Sequence, residues 1–470
     1  RIEPLVAEAL ARPRSAPRLD GGLTPRWTAT LGQVEDPPTD ACLVHPRLVT
    51  AAGGDRVVAS TGARVVVVDA DTGEVRGRIP HLPEATSSLP PAGGRFAARV
   101  AAWGDVAFTP LVLERWLAPA RAVRGADLAG RHYGLVAVDA GAARLLWWDG
   151  DPGPRPRLDQ EPQGEPPGLG GAPARLLDDL RRGHVVAVAT DARRVYVVLL
   201  AKADEPGLEV FAYERAGGRE QPLVLRPAWA APAPLFAAER PRQISPEDDP
   251  VGPELAAALT LDGAGRLLVT TDVGVVACLE AATGEVLWLV RPEPDRAAAR
   301  PRGFVRRGLA PPPSDPAPTP AEVIGGPDGP RALVVAGERV LCLRLADGAA
   351  AWALPRGRGG RVVAVGDAHA VVYSDDELVS VDAATGAVGQ RSPTAEPACG
   401  EAVVAGRWLA LPVREGQAAR LRLLELTPDG LRRAALVPLP DHTTPFNIAL
   451  TARGLLVASG RRVSLLAWER

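Results

Sequence analysis

An eleven-residue pattern recurs along this chain and constrains its fold more than any other feature of the sequence. The clearest copy is residues 278–288, CLEAATGEVLW, where an apolar run ends at Glu280, turns at Thr283 and Gly284, and continues to Trp288. Carboxylate and hydroxyl oxygens can accept hydrogen bonds from turn amides, and glycine adopts a positive φ without steric cost. A single copy predicts only a β-hairpin, so the value of the pattern as evidence for a fold depends on how often it recurs.

The pattern occurs eight times. Copies begin at Val67, Ala137, Ala212, Cys278, Cys342, Ser380 and Leu423, and an incomplete copy covers Val463 to Trp468. Arg344 replaces the acid in one copy, and Gly77 and Gln390 stand at the tryptophan position in two others. The last four acid positions are 344, 382, 425 and 467, which are 38, 43 and 42 residues apart. These intervals are close to the roughly 40–45 residues of a four-stranded propeller blade.

Short strands at this spacing predict an all-β fold, an eight-bladed β-propeller of four-stranded antiparallel blades. The last copy ends at Trp468 without an outer strand, whereas the segment from Pro25 to Leu31, PRWTATL, is a strand with no inner strands before it. We therefore predict that this N-terminal strand around Trp27 completes the final blade and closes the ring.

The domain organisation follows from the same repeats. Residues 1–24 are predicted to be an N-terminal tail or short helix, and 25–470 a single propeller. The earlier acid positions are 64 to 75 residues apart because Pro- and Gly-rich insertions lengthen the connections. These insertions are predicted at about 151–173, 231–254 and 291–330.

Composition limits the classes of partner. A formal net charge of −2 and 46% hydrophobic residues allow a large core and give no general attraction to polyanions, so nucleic acid is not predicted as a partner. No apolar run reaches the roughly 18 residues that a membrane span needs. Because the chain begins with Arg1, we expect it to be processed or part of a longer product, and any membrane association to come from a preceding segment or a partner.

The frame Ala-x-Asp-x-x-Thr-Gly-x-x-x-Trp resembles the tryptophan-docking repeat of the PQQ-like eight-bladed propellers, over about Trp27 to Trp468. That superfamily includes the quinoprotein alcohol dehydrogenases and the BamB-type outer-membrane assembly lipoproteins. The resemblance implies that Trp147, Trp288 and Trp352 pack between blades as structural residues. It also implies a bacterial protein of the periplasm or cell envelope.

The residues for quinoprotein chemistry are not apparent. Those enzymes resemble one another in three features: a disulfide between adjacent cysteines, calcium ligands from acidic and asparagine side chains, and an aspartate that acts as the base. Here Cys42, Cys278, Cys342 and Cys399 are separate, and Asn447 is the only asparagine. The histidines lack metal-ligand spacing, and no nucleophile or phosphate-binding motif occurs. We predict no catalytic residue, no cofactor and no metal site, and we favour a protein that is not an enzyme.

One candidate binding patch lies in the third insertion. In residues 296–307, RAAARPRGFVRR, five arginines surround one phenylalanine; the candidate residues are Arg296, Arg300, Arg302, Phe304, Arg306 and Arg307. Arginine guanidinium groups can bind an acidic partner or a phosphate surface, and a solvated loop in an arginine-rich chain is the alternative.

The function predicted from these features is a non-catalytic scaffold that binds other protein subunits, as a subunit or domain of a larger bacterial assembly. Two alternatives remain open. The first is a PQQ-dependent quinoprotein oxidoreductase, and the second is a BamB-like outer-membrane protein assembly factor.

Overall fold

Strands account for all regular secondary structure in the described part of the protein, whose structure is a computed structural model. The structure describes residues 23–31, 43–51, 53–61, 64–79, 97–114, 131–148, 183–201, 207–216, 223–237, 256–271, 274–291, 319–337, 339–357, 361–365, 369–374, 377–393, 396–405, 408–416, 418–427, 430–444 and 446–468. Within these ranges no helix has the length and apolar character to cross a membrane. The predicted short helix in 1–24 lies almost wholly outside them.

The first half of the chain forms three complete blades. The strands before blade 1 are β1 (Leu23–Thr30) and β2 (Leu43–Val44). Blade 1 contains β3 (Arg47–Val49), β4 (Arg56–Ser60), β5 (Val65–Asp69) and β6 (Val75–Ile79), and β7 (Ala97–Ala98) follows it. Blade 2 contains β8 (Ala101–Trp103), β9 (Val106–Glu114), β10 (Arg131–Asp139) and β11 (Arg144–Trp148). Blade 3 contains β12 (Gly183–Thr190), β13 (Arg194–Ala201), β14 (Gly207–Ala216) and β15 (Val224–Pro227), with β16 (Ala233–Ala237) paired to β14.

The second half forms the other five blades. Blade 4 contains β17 (Ala257–Leu261), β18 (Arg266–Thr271), β19 (Val276–Glu280) and β20 (Val286–Val290). Blade 5 contains β21 (Glu322–Ile324), β22 (Arg331–Ala336), β23 (Arg339–Arg344) and β24 (Ala350–Pro355). Blade 6 contains β25 (Arg361–Val365), β26 (His369–Ser374), β27 (Glu377–Asp382) and β28 (Val388–Pro393). Blade 7 contains β29 (Val403–Ala405), β30 (Trp408–Glu415), β31 (Ala418–Thr427) and β32 (Gly430–Pro438). Blade 8 contains β33 (Phe446–Thr451), β34 (Gly454–Ser459), β35 (Arg462–Trp468) and β1.

The predicted eight-bladed propeller of four-stranded antiparallel blades is therefore confirmed. Two strands lie inside stretches that the sequence assigns to insertions: β16 falls within 231–254, and β21 within 291–330. Both are short and have prolines close by, so they lack the alternating pattern that would separate a strand from a loop. The inner strand β21 is part of blade 5, and the third insertion must end before it.

Strand β1 closes the ring, as predicted. It pairs antiparallel with β35, so that Trp27 lies opposite Leu465. The Thr28 hydroxyl is 2.8 Å from the Ser464 hydroxyl in the neighbouring strand. Trp27 and Leu465 also pack with Val66 and other side chains of blade 1 in one buried cluster. Strand β1 thereby completes the sheet of blade 8, and its side chains join blades 8 and 1 through a shared core.

Tryptophan side chains lie between successive blades. In blade 4 the Trp288 Nε1 donates a hydrogen bond to the Leu345 carbonyl of blade 5 at 3.0 Å. Its ring covers Gly348, where an added Cβ would approach the indole to 2.7 Å. The glycine has a φ of +72°, so both its conformation and its missing side chain are required. The same contact occurs at the pairs Trp27–Gly73, Trp229–Gly284, Trp288–Gly348 and Trp352–Gly386.

The junction between blades 1 and 2 reverses this arrangement. Gly77 stands at the tryptophan position, and its α-carbon packs so closely on the next turn that an added Cβ would lie 2.6 Å from the Ala143 carbonyl oxygen. Ala143, at the turn position, has a φ of +51° and is the one non-glycine residue with positive φ in the described part of the chain. Alanine fits there because no indole covers it. Between blades 6 and 7, Gln390 replaces tryptophan and its Oε1 accepts a 2.7 Å hydrogen bond from the Leu431 amide.

The acid of the frame organises the turn in several blades. The Asp382 Oδ1 accepts hydrogen bonds from the Thr385 amide and the Thr385 hydroxyl, both at 2.7 Å. In blade 5 the charges are exchanged, and Arg344 pairs with Asp347 at the turn. Beneath these side-chain contacts the turns share one backbone hydrogen bond: the amide of Gly284 donates to the Glu280 carbonyl at 2.8 Å, as that of Gly386 does to the Asp382 carbonyl.

A Gly→Ala substitution at a turn has two possible costs: the strain of alanine at a positive φ, and its steric overlap with an indole. Two glycines with nearly the same φ allow these costs to be measured separately. Gly386 has a φ of +75° and lies under Trp352, whereas Gly263 has a φ of +76° and nothing within 4 Å of its added Cβ. We expect Gly263→Ala to lower the free energy of unfolding by about 1–2 kcal/mol. Gly386→Ala should cost about 1–3 kcal/mol more, because the methyl group overpacks the indole. Urea unfolding measures both.

A double-mutant cycle provides the control. In a Trp352→Ala background the indole is gone, so Gly386→Ala should cost no more than Gly263→Ala does in the wild type. Equal losses for the two glycine variants in the wild-type background would show that the indole imposes no requirement on the turn.

Candidate functional site

The segments that lead into the inner strands bring charged side chains to the centre of the ring. Strands β2 and β7 pair in parallel, with Val44 opposite Ala98, so the residues that follow them, His45 and Arg99, lie side by side. Glu401 precedes β29 of blade 7. Arg99 Nη1 donates to Glu401 Oε2 at 3.1 Å, and Arg99 Nη2 donates to Glu401 Oε1. Blades 2 and 7 are not neighbours, so their side chains meet only where the inner ends of the blades converge.

Asn447 of β33 holds this cluster together. Its side chain is fully buried, and its Oδ1 accepts a 2.8 Å hydrogen bond from the Glu401 amide. Its Nδ2 donates to the Val44 carbonyl at 3.2 Å and lies 3.3 Å from His45 Nε2. If Nε2 of His45 accepts from Asn447, the proton is on Nδ1, which lies 3.5 Å from Glu401 Oε2. One asparagine of blade 8 thereby connects the segments that lead into blades 1 and 7.

The cluster is an ion pair with a neutral histidine beside it. Burial lowers the pKa of His45 to about 3, with the Arg99 charge acting in the same direction and Glu401 opposing it. Burial alone would raise the pKa of Glu401, but the charge and hydrogen bonds of Arg99, together with the other basic groups nearby, outweigh that effect and lower the pKa to about 2. At neutral pH, Glu401 is therefore ionised and His45 is uncharged. Arg99 supplies the positive charge.

Two further side chains line the centre from other blades. Glu322 of β21 and Arg47 of β3 are both exposed to solvent. Even so, desolvation raises the pKa of Glu322, with the charge of Glu401 acting in the same direction, and desolvation lowers the pKa of Arg47. Exposure combined with desolvation is expected of groups that line a narrow, water-accessible channel.

Arg361, the first residue of β25, is buried next to this cluster. Its Cζ lies 5.7 Å from the centre of the Tyr373 ring. Burial lowers its pKa, and the charge of Glu401 together with Cys399 and Tyr373 opposes that change. Burial raises the pKa of Cys399 to about 11, so that side chain is a neutral thiol. Arg361 therefore adds a second guanidinium to the ring centre.

The geometry of this cluster suits charge recognition better than proton transfer. A general acid or base works best with a pKa near the operating pH, whereas those of His45 and Glu401 lie far below neutrality. In the described residues, no group of three or more His, Cys, Asp or Glu side chains is placed to hold a metal ion.

The predicted binding residues Arg296, Arg300, Arg302, Phe304, Arg306 and Arg307 lie outside the described residues, between β20 and β21. The sequence did not indicate the central cluster. Asn447 stood out only as the single asparagine, and Arg99, Arg361 and Glu401 belong to no motif. The one local signal was a polar Asn447 within an apolar strand, where a buried amide requires hydrogen-bond partners.

A second surface feature lies on the outer strand of blade 4. Leu287 and Leu289 of β20 are 41% and 37% exposed, and with Val388 they are the exposed large hydrophobic side chains of the described residues. Leu287 and Leu289 flank Trp288, and successive side chains of a strand point to opposite faces. Because Trp288 faces blade 5, the two leucines point away from it. The matching positions hold smaller or charged residues in three other blades, whereas blade 2 holds Leu146 and Trp148 there. The three are blade 1 with Arg76 and Arg78, blade 5 with Ala351 and Ala353, and blade 6 with Gly389 and Arg391.

Comparisons with known proteins agree with this fold. A family model described as outer membrane protein assembly factor BamB matches residues 209–398, which confirms the resemblance to PQQ-like propellers over that part. The structure is similar to BamB from Moraxella catarrhalis, with a TM-score of 0.52, 13% identity, and coverage of 95% of this chain and 98% of that chain. It is also similar to Sqt1 from Saccharomyces cerevisiae, with a TM-score of 0.52, 10% identity, and coverage of 95% and 100%. No curated protein matches. At these identities the structural likeness shows the fold alone.

The ion pair at the ring centre can be tested against an exposed one. The Arg99 and Glu401 side chains are 20% and 25% exposed, so the pair is only partly buried. We expect Glu401→Gln to lower the free energy of unfolding by about 1–3 kcal/mol, because it leaves the partly desolvated Arg99 guanidinium without its counter-charge. Glu74 pairs with Arg76 at 3.3 Å, but its side chain is 61% exposed. Glu74→Gln should therefore change stability by less than about 0.5 kcal/mol. Chemical denaturation at pH 7 compares the two variants.

The pH dependence provides a second readout. Folding depresses the pKa of Glu401 from 4.5 to about 2, so its stabilisation is complete above pH 4.5 and is lost as pH falls through 2. The difference between wild type and Glu401→Gln should shrink over that window. A difference that stays constant from pH 7 to 2 would contradict the assigned role of the carboxylate.

Proposed function

We propose that this chain is a non-catalytic β-propeller scaffold that binds other protein subunits through the outer edge of blade 4. The observation that carries this proposal is the exposed pair Leu287 and Leu289 on β20. The fold does not require leucine there, because the same positions hold arginine in blade 1 and alanine in blade 5. Exposed apolar side chains grouped on one strand are typical of an interaction surface.

The geometry of β20 suits an extended partner segment. In the described part of the chain, β20 ends the blade 4 sheet and has β19 as its strand neighbour. An added strand can form backbone hydrogen bonds with such an edge, and its alternate apolar side chains can contact the two leucines. Trp288, between them, is held by blade 5, so the strand is already ordered before a partner binds.

The arginines of the third insertion extend this proposal. β20 ends at Val290, and the patch of residues 296–307 begins six positions later. We propose that its arginines pair with acidic side chains of the same partner, since guanidinium groups bind carboxylates through two parallel hydrogen bonds. The partner would then present an extended apolar segment next to an acidic one.

The family comparison supports a more specific assignment within this proposal. The indole contacts at Trp288 and Trp352 would be the tryptophan-docking motif of PQQ-like propellers, and the chain a subunit or domain of a bacterial envelope assembly. Its match to the BamB family model favours, as a second candidate, a BamB-like role in outer-membrane protein assembly. The quinoprotein alternative predicts stoichiometric binding of PQQ and calcium; saturable binding in a calorimetric titration would replace the scaffold proposal.

The blade 4 surface can be tested by introducing charge. We expect Leu287→Arg with Leu289→Arg to abolish capture of protein partners from cells that express the chain, because desolvating two guanidinium groups opposes docking. The matched control is Ala351→Arg with Ala353→Arg, the same positions of blade 5. Affinity capture with quantitative mass spectrometry compares the two. Loss of the same partners from both variants, or from neither, would contradict a surface specific to blade 4.

The insertion can be tested by excision. Replacing residues 296–316 with a short Gly-Ser linker keeps β21 intact, and we expect it to weaken partner capture because the arginines are removed. Replacing residues 151–173 with the same linker is the control and should leave capture unchanged. Unchanged capture after the first replacement would remove the arginine patch from the proposed interface.

A further inference from the structure

Strand β20 and the residue on each side of it form a sequence that is complementary to itself in reverse order. Residues 285–291 read EVLWLVR. On either side of Trp288 stand a leucine and then a valine, and the run begins with an acid and ends with a base. In two copies that lie antiparallel about a two-fold axis at Trp288, each apolar residue is level with an apolar residue and each acid with a base. A closed two-fold contact requires such self-complementarity, because the same patch supplies both of its sides.

The side chains that this arrangement brings together are exposed. Leu287 and Leu289 are 41% and 37% exposed, and Glu285 and Arg291 are exposed at the two ends of the run. Trp288 between the leucines is buried against blade 5. The opposite charges at the two ends favour the antiparallel order, because a parallel order would place like charges next to each other.

A bulge in β20 decides which groups can make the contact. Trp288 lies opposite Cys278 and Val286 lies opposite Leu279, so Leu287 is the extra residue between them. A bulge interrupts the ladder of backbone hydrogen bonds. Two β20 edges can therefore share few backbone hydrogen bonds, and the leucine side chains with the charges at each end must supply most of the contact.

Other blades carry features that oppose a contact of this kind. Three of them hold a proline at the position of Arg291, namely Pro80 in blade 1, Pro355 in blade 5 and Pro393 in blade 6. Proline has no N–H to donate and is one of the residues that keep sheet edges apart. In blade 1, Arg76 and Arg78 also stand where blade 4 has its leucines, so two copies of that edge would repel each other. The edge of blade 4 has neither feature.

We propose that the partner of the blade 4 edge is a second copy of this chain, related to the first by a two-fold axis at Trp288. The inference rests on the proposed function, because it uses the same surface and names its occupant. Leu287 of each copy packs against Leu289 of the other, and Glu285 pairs with Arg291 at both ends of the contact. One strand from each copy gives a small contact area, which corresponds to a weak and reversible dimer.

Sedimentation velocity of the purified whole chain over a range of concentrations tests the proposal. We expect a reversible equilibrium between monomer and dimer. Leu287→Arg with Leu289→Arg should abolish the dimer, because four guanidinium groups would meet at the two-fold axis. Ala351→Arg with Ala353→Arg, the same change in blade 5, should leave the dimer unaltered. A monomer at the highest soluble concentration, or a dimer that survives the leucine double variant, would overturn the proposal.

Charge exchange tests the antiparallel geometry. Glu285→Arg places two bases at each end of the contact and Arg291→Glu places two acids there, so each variant should weaken the dimer about tenfold. An equimolar mixture of the two variants should form a mixed dimer, because an acid then meets a base at both ends. The variant that carries both changes should also regain self-association. Single variants that dimerise like the wild type, or an absence of recovery in both the mixture and the double variant, would contradict the proposed contact.

The same variants separate this inference from the proposed function. A chain that sediments as a monomer, yet loses captured proteins on Leu287→Arg with Leu289→Arg, would overturn the second copy as the partner and leave the proposed function standing. A dimer that this double variant abolishes, with capture of other proteins unchanged, would support the dimer and contradict the proposed function.

Discussion

At four of the eight junctions between blades, the described residues depend on one interaction, the contact between an indole and a glycine of the next blade. A four-stranded blade has two faces to bury, and it buries them only against its neighbours. Each contact joins a large side chain in one blade to a backbone conformation in the next, as Trp288 does with Gly348. Gly77 and Ala143 show that the two positions are coupled: where the indole is absent, the turn holds a side chain. The ring is therefore built from matched pairs.

Much of the fold can be predicted from the sequence because its determinants are local. Acid, turn and apolar runs define each hairpin, their spacing defines the blade, and the unmatched strand around Trp27 implies closure. Longer hairpins obscure the pattern. Trp229 was missed because it follows β15 by two residues and lies well beyond Pro222, where the frame expects it. Strands β16 and β21 were missed because their sequences are too short to show an alternation.

The central cluster could not be predicted, for a physical reason. Arg99 and Glu401 are 302 residues apart, and they meet only because the ring brings blades 2 and 7 to one point. No local pattern encodes that meeting, and each residue alone resembles ordinary surface charge. The leucines of β20 are an intermediate case. They become informative once the copies are aligned, because comparison within the chain shows which side chains the fold does not need.

Ring closure has a consequence for the order in which parts of the chain fold during synthesis. Thr28 and its partner Ser464 are separated by 436 residues, so the sheet that contains β1 cannot form until translation is nearly complete. Trp27, however, donates to the carbonyl of Ala70, only 43 residues later. Blade 1 can therefore hold β1 in position early in synthesis. Strand β1 is then already aligned on blade 1 when the last strand, β35, is synthesised and pairs with it.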